Sequence, residues 1–478
     1  MFQLPDHLSL KFTSSRGPSH QIFSPNDGKL LTTVQQATMD DITALLESTP
    51  AAQDEMEKLK PYERAKILKA VAGSLKEQIE FLAWVIASEG GKPLKDARAE
   101  AQRAVATIEL CAEETLRLEG EIVPMERTAA GKDHLAFTIK SPIGAVLAIS
   151  AFNHPLNLIA HQVGCALASG NCVLLKPASS TPISAHLLWE AFQKAGIPKN
   201  AFRVVNAEVD LVEKLVASPQ FSFISFIGSA KVGWEMRKKI APGTRLSLEH
   251  GGQAPAMIRE DADLEAAASA LIKGAFYHAG QVCISTQRIF VHEKVFESFL
   301  SHFTEKARSL KVGPATQEET DIGPLIRPSE VIRLQKWIEE AISHKAKLIM
   351  GNTVSGNAQQ YLSQTILTHV PRDCALMTSE AFGPVICINP YNDEEETLKY
   401  LNTNRYVFEA ALFTKDISHA LRLATEMKTM TFVINNHTAF RVDQMPFGGH
   451  KESGLGMGGV KYAMEEMTMT KQIIIKYQ

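Results

Sequence analysis

Gly144-Ala145-Val146-Leu147-Ala148-Ile149-Ser150-Ala151-Phe152-Asn153-His154-Pro155 is the stretch on which the fold reading turns. Its apolar run over 145–150 is unbroken rather than alternating, the pattern of a strand buried on both faces. It stops at a polar Asn-His pair, and Pro155 then opens a helical pattern over 155–169. The same unit recurs downstream. Strands are predicted over 171–176, 202–206, 221–227 and 245–249, and further helices over 182–195 and 230–240. Continuous apolar strands joined by helices of this length make parallel βαβ units, so the fold class is α/β of a Rossmann-like, nucleotide-binding type. Architecture alone does not name the ligand.

Upstream, apolar residues at three- and four-residue spacing predict helices over 62–75 and 78–88, with Gly90-Gly91 as a stop, and a third over 94–118. The segment 120–141 changes character: two extended arms flank Ala129-Ala130-Gly131-Lys132-Asp133, which reads as a hairpin or protruding ribbon. Downstream, a second alternating series over 255–436 has strands near Arg288, Lys347 and Val385. Its helices lie over 263–278, capped by Asp261 or Asp263, and over 295–310. A Gly-rich loop follows over 446–459. The final apolar run, 471–476, would aggregate as a bare edge and is expected to pair with another element or subunit.

A chain of 478 residues exceeds one simple core, so two or three domains are expected. The net charge of −3 gives no reason to expect nucleic acid or an anionic membrane as partner. No apolar run reaches the roughly 18 residues of a membrane span, and Met1 to Leu10 lacks the basic and apolar regions of a secretory leader. Cys111, Cys165, Cys172, Cys283, Cys374 and Cys387 are scattered without paired spacing, which argues for reduced thiols in a cytoplasmic protein. No metal-ligand spacing occurs, so no metal is expected.

One cysteine stands out by its surroundings. Gly280-Gln281-Val282-Cys283-Ile284-Ser285 lies between a helix and a strand, and Leu248-Glu249-His250-Gly251-Gly252 ends an earlier strand in a carboxylate. A thiol attacks a carbonyl only as thiolate, and a nearby carboxylate can act as base for the thiol or for a water that later cleaves a thioester. Asn153 lies at a strand's carboxyl end, where open α/β sheets place ligands. Its amide could donate to a developing oxyanion, or it is a turn residue before Pro155. Lys176, in Lys176-Pro177-Ala178-Ser179, could bind ribose hydroxyls or a phosphate, or be a solvated lysine. Phe226-Ile227-Gly228-Ser229 is a strand-to-helix turn suited to a pyrophosphate oxygen. Gly454-Leu455-Gly456-Met457-Gly458-Gly459 lacks the strand and helix of a phosphate loop and reads as a turn.

Taken in order, Phe152-Asn153, Lys176-Pro177-Ala178, Phe226-Ile227-Gly228-Ser229, Glu249-His250-Gly251-Gly252, Gly280-Gln281-Val282-Cys283, Glu380-Ala381-Phe382-Gly383-Pro384 and Pro446-Phe447-Gly448-Gly449-His450-Lys451-Glu452-Ser453-Gly454 resemble the aldehyde dehydrogenase superfamily over nearly the whole chain. The resemblance implies a cofactor-binding domain over 1–119 and 142–250, a catalytic domain over 251–445, and an oligomerisation ribbon and tail over 120–141 and 466–478. It implies Cys283 as nucleophile, Asn153 with the Cys283 N–H as oxyanion hole, and Glu249 as base for the deacylating water. Lys176 and Glu380 would bind ribose hydroxyls, Phe382 would pack near the nicotinamide, and Gly228 and Ser229 would hold the pyrophosphate. Thiolate attack gives a thiohemiacetal, hydride leaves to the nicotinamide, and a thioester remains for water.

Two departures carry information. Ser179 stands where many NAD-preferring members have Glu, and losing that carboxylate removes a barrier to a 2′-phosphate, so NADP or dual use with NAD is expected. His250 replaces the usual Leu or Met and either tunes Glu249 or packs locally. The segment 433–443 resembles members acting on short polar or anionic aldehydes, among them phosphonoacetaldehyde, lactaldehyde, sulfo-aldehyde, succinate semialdehyde and non-phosphorylating glyceraldehyde-3-phosphate dehydrogenases. Arg103 and His154 would form a cationic pair for the substrate anion, with Thr438 and Arg441 as further substrate residues. The plainer alternative pairs Arg103 with Glu100 or Glu109 and Arg441 with Asp443. The expected function is oxidation of a small anionic aldehyde to its acid by a homodimer or homotetramer. The rivals are a coenzyme A-acylating dehydrogenase and a non-catalytic protein that keeps the fold.

Overall fold

The computed structural model describes residues 17–477; Met1 to Leu10, where no secretory leader is expected, and the terminal Gln478 lie outside them. Two parallel sheets organise those residues. The first has six strands in the spatial order Gly454–Leu455, Arg245–Glu249, Phe223–Ile227, Val146–Ile149, Val173–Lys176 and Phe202–Val204. Its five central and far strands are parallel, and their side chains are buried almost throughout, which is why the sequence showed runs rather than alternation. Helices Asn157–Ala168 and Ile183–Lys194 fill the crossovers as expected. Helix Val209–Val216, which the sequence reading passed over, fills the next one. It has only eight residues, two turns of pattern.

The outermost strand of this sheet corrects an expectation. Gly454–Leu455 is not merely part of a turn: it runs antiparallel to Arg245–Glu249, with Gly454 paired to Glu249. Two residues are too few to announce a strand in sequence. The consequence is local, because Glu249 acquires a backbone neighbour on its outer side.

The second sheet has seven strands in the order Lys347–Met350, Thr365–Thr368, Val385–Tyr391, Arg288–His292, Pro255–Ile258, Glu409–Phe413 and Thr431–Ile434, all parallel except the first. Each large sheet has its own apolar core. Asp263 caps helix Leu264–Phe276 by accepting from the Ala266 amide at 3.0 Å. Helix Met39–Lys58 also escaped the sequence reading; Pro50 lies inside it and interrupts the expected helical composition.

The ribbon and the tail form a third sheet. Ile122–Val123 pairs with His134–Pro142, and Thr468–Lys476 runs antiparallel along the whole of His134–Pro142. The apolar tail is therefore paired within its own chain on one side. Met469, Ile474, Ile475 and Ile122 remain exposed on this small sheet.

Candidate active site

Strand ends from both large sheets converge on one cavity of about 1310 Å³. Its lining includes Asn153, Lys176, Ser179, Gly228, Ser229, Glu249, Cys283, Glu380 and Phe382, and also Arg103, His154 and Arg441. Residues far apart in sequence meet here because parallel strands end on the same side of a sheet. Of the thirteen residues singled out from sequence, Thr438 is the one outside this lining. It is fully buried and bonded to the Ile284 carbonyl at 2.7 Å and the Thr286 hydroxyl at 2.8 Å, so it braces the segment after Cys283.

Cys283 lies against Val282, Ile284, Phe408 and Phe447 in a small apolar cluster. Burial pushes its thiol well above the ordinary range, with Glu380, Glu249 and Glu409 adding to the effect and Arg441 opposing it. The resting thiol is thus protonated. Glu249 is also raised, by burial first and Glu466 last, against Arg441 and His161. A Cβ at Gly458 would fall 2.5 Å from Glu249 Oε1, so only glycine leaves room for the carboxylate there.

Asn153 is held rather than loose. Its Nδ2 donates to the Gln281 carbonyl at 2.9 Å, which leaves the amide's second N–H for another acceptor. Gln281 is anchored in turn, its Oε1 accepting from the Ile326 amide at 3.0 Å. Behind Asn153, the buried Glu100 accepts from the Leu156 and Asn157 amides at 2.9 and 3.1 Å and pairs with the equally buried Lys92. Sequence reading did not flag this support, although Glu100 and Arg103 share a helix face at three-residue spacing.

The residues expected to hold a dinucleotide fit one. Glu380 Oε1 is buried without a partner, and burial raises the Glu380 carboxyl to about 8. A Cβ on Gly251 would fall 1.8 Å from that oxygen, so glycine is required beside it. Ser229 is the N-cap of helix Ala230–Arg237 but makes no side-chain bond to it, which leaves its hydroxyl and the first helical amides for an anionic oxygen. Lys176 Nζ donates to Ser179 Oγ at 3.3 Å, and Glu208 interacts electrostatically with the same ammonium. Phe382, at φ 49°, meets Phe152 edge-on with centroids 5.9 Å apart.

The substrate-end arginines do not make the pairs of the plainer alternative. Arg103 pairs with neither Glu100 nor Glu109. Its Nε and Nη2 donate to both oxygens of Asp443 at 3.1 and 2.8 Å, across 340 positions of sequence. Asp443 also accepts from Asn157 Nδ2 at 3.2 Å and contacts His161 Nε2 at 2.9 Å. Burial alone would raise its carboxyl, but the His161 and Arg103 bonds outweigh this and hold it far below the usual range. Arg441 therefore lacks the Asp443 partner expected of it; it stacks over Phe447 at 3.8 Å, and its Nη1 is buried without a partner. His154 is a second correction. Burial first, then Lys92 and Arg103, hold it far below its ordinary range, so it is a neutral imidazole beside Tyr277 and His278 rather than half of a cationic pair. His250 packs locally: its Nδ1 contacts the Glu452 carbonyl at 2.9 Å, and its ring lies against Trp234 and occupies the space of a Gly233 side chain.

The aldehyde dehydrogenase family model matches residues 12–473. The chain belongs to the aldehyde dehydrogenase family. It is accordingly an NAD(P)-dependent aldehyde dehydrogenase. A 3-sulfolactaldehyde dehydrogenase of Priestia aryabhattai is 39% identical over 444 residues, 92% of each chain. The crystal structure of aldehyde dehydrogenase 21 from Physcomitrella patens, with the reaction product succinate, superposes with TM-score 0.94 at 34% identity, covering 98% of this chain and 97% of that one. A glyceraldehyde-3-phosphate dehydrogenase from Methanocaldococcus jannaschii complexed with NADP gives TM-score 0.91 at 36% identity over 96% and 99%. Among the described residues no helix is long and apolar enough to cross a membrane, and no group of side chains could hold a metal.

Proposed function

We propose that this dehydrogenase oxidises a small aldehyde bearing an anionic group, with Cys283, Glu249 and Asn153 as its catalytic residues. The observation carrying the reading is the juxtaposition, in one cavity, of an apolar-seated thiol, an anchored amide, a raised carboxylate and an Arg441 guanidinium whose Nη1 has no partner. The relatives' chemistry supports it: one acts on a sulfonated aldehyde, another holds succinate, a third is named for a phosphorylated aldehyde.

Cys283 gives up its proton inside the site, to Glu249 or through water, and Sγ bonds to the aldehyde carbon. The free N–H of Asn153 and the Cys283 backbone N–H receive the resulting alkoxide. When bound, the nicotinamide supplies the two-electron oxidant, and Lys176, Glu380, Gly228, Ser229 and Phe382 are the residues that would hold it. Glu249 then takes a proton from water as its oxygen adds to the thioester, and Cys283 departs as thiolate. A raised carboxyl suits that task, because a carboxylate made more basic by burial takes a proton from water more readily.

Ser179 offers no carboxylate against a 2′-phosphate, and Lys176 can pair with one. Glu208 near the same ammonium favours ribose hydroxyls, so use of both cofactors with a lean to NADP is the reading. Residues 1–119 and 142–250 serve the cofactor, 251–445 the chemistry, and 120–141 with 466–478 the assembly of a homodimer or homotetramer. The exposed isoleucines and free edge of that small sheet support the last role. The test is a panel of propanal, succinate semialdehyde and 3-sulfolactaldehyde with each cofactor. A kcat/KM at least about tenfold higher for an anionic aldehyde than for propanal is expected from one charge-assisted contact. Equal values would overturn the substrate reading.

A further inference from the structure

Two arginines line the substrate end of the cavity, yet they are not electrically equivalent. Arg103 is committed to Asp443 through a two-point bond, while Arg441 has an unpartnered Nη1. Asp443 is 4% exposed and has every oxygen engaged, by Arg103, Asn157 and His161. Three elements meet on it: the helix carrying Arg103, the helix carrying Asn157 and His161, and the loop that also carries Arg441. A carboxylate so fastened cannot swing away when an anion arrives.

We propose that Asp443 is a specificity-determining residue that cancels the charge of Arg103 and so sets the site for a monoanionic aldehyde, a carboxylate or sulfonate, over a dianionic phosphate. The inference rests on the anionic-substrate reading and sharpens it. Arg103 keeps Nη1 free of Asp443 and can still give a hydrogen bond, but the pair contributes no net charge. Arg441 is then the arginine left with a buried, unpartnered nitrogen, and Glu249 and Glu409 already act on its charge. Among the described residues, a second negative charge on the substrate therefore finds no further arginine at this end of the cavity to meet it. That second charge would meet the cavity-lining Glu249, with Asp443 held directly behind Arg103, and like charges that close repel. Asp443 lies two residues beyond Arg441, so a single short loop carries both the reader of the anion and the carboxylate that limits it.

The experiment is a charge cycle of four proteins: wild type, Asp443→Asn, Arg103→Gln and the double variant. At one fixed pH, kcat/KM is measured for succinate semialdehyde as monoanion, glyceraldehyde 3-phosphate as dianion and propanal as neutral reference. Each anion's value is divided by the same protein's propanal value, which removes general losses of folding or turnover. One unit of protein charge is expected to change the monoanion ratio about tenfold and the dianion ratio about a hundredfold, since Coulomb energy scales with substrate charge. Asp443→Asn should therefore raise the dianion-to-monoanion preference about tenfold and Arg103→Gln should lower it about tenfold. The double variant should return to within about threefold of wild type, a result that loss of structure would not produce. Ratios in Asp443→Asn within threefold of wild type, or a double variant no better than Arg103→Gln, overturn the role of Asp443. A wild type that prefers neither anion over propanal overturns the anionic-substrate reading itself.

Discussion

Replacing Asn153 by Asp tests the oxyanion site with minimal change of shape. In the structure the amide Nδ2 donates one N–H to the Gln281 carbonyl at 2.9 Å, and Gln281 is itself fixed by the Ile326 amide at 3.0 Å. The second N–H is then aimed by the first. An aspartate of the same size has no N–H to give, and its oxygen would meet the Gln281 carbonyl acceptor to acceptor. Loss of one oxyanion donor costs about 2.7–4 kcal/mol, or about 10²–10³ in rate. The added carboxylate charge beside a forming alkoxide places Asn153→Asp at or beyond the upper end of that range. Rapid-mixing measurement of reduced nicotinamide should show the burst slowed by about 10³, with cofactor affinity little changed because Asn153 belongs to the aldehyde side. A burst within about threefold of wild type would refute the assignment of Asn153.

Glu409 makes a separate, electrostatic prediction. It is 3% exposed, its Oε2 has no partner, and burial raises its carboxyl to about 8. A folded-state value raised above the unfolded one gives stability that is full below the unfolded value and lost as pH rises through about 8. Glu409→Gln should thus gain on wild type in stability as pH rises from about 5 to about 9, by a few kcal/mol at most at the alkaline end, read as a widening difference in Tm; a pH-independent difference contradicts this. Deleting 471–478 strips most of the strand that pairs along His134–Pro142 and should give smaller or aggregating species in sedimentation. An unchanged oligomer after deletion, or a monomer before it, would contradict the assembly role.

The parallel sheets were legible because their strands are buried on both faces and therefore uniformly apolar, as Val146–Ile149 is. Gly454–Leu455 was not, since its strand character comes from pairing with Glu249 rather than from its own residues. In the cavity, Asn153, Lys176, Gly228 and Glu249 end or follow strands of the first sheet, while Cys283, Glu380 and Phe382 precede strands of the second, and each sits in a local motif that sequence can show. The Arg103–Asp443 bond spans 340 positions and has no local signature, so the plainer alternative, Arg103 with Glu100 or Glu109 and Arg441 with Asp443, named the wrong partners. Protonation was equally hidden: His154 is neutral because burial and the charges of Lys92 and Arg103 surround it. Thr438 was misjudged because proximity in sequence to Arg441 says nothing about which way a side chain in a turn faces.

The claim that matters most is that Cys283 carries the acyl group and Glu249 releases it. Glu249→Gln keeps the side-chain shape beside Gly458 while removing the base. Mixed with aldehyde and oxidised cofactor, this variant should form one equivalent of reduced nicotinamide rapidly and then stall, and its intact mass should rise by one acyl group. Peptide mapping should place that group on Cys283. Steady turnover without an adduct, or an adduct confined to another of the six cysteines, would contradict the account.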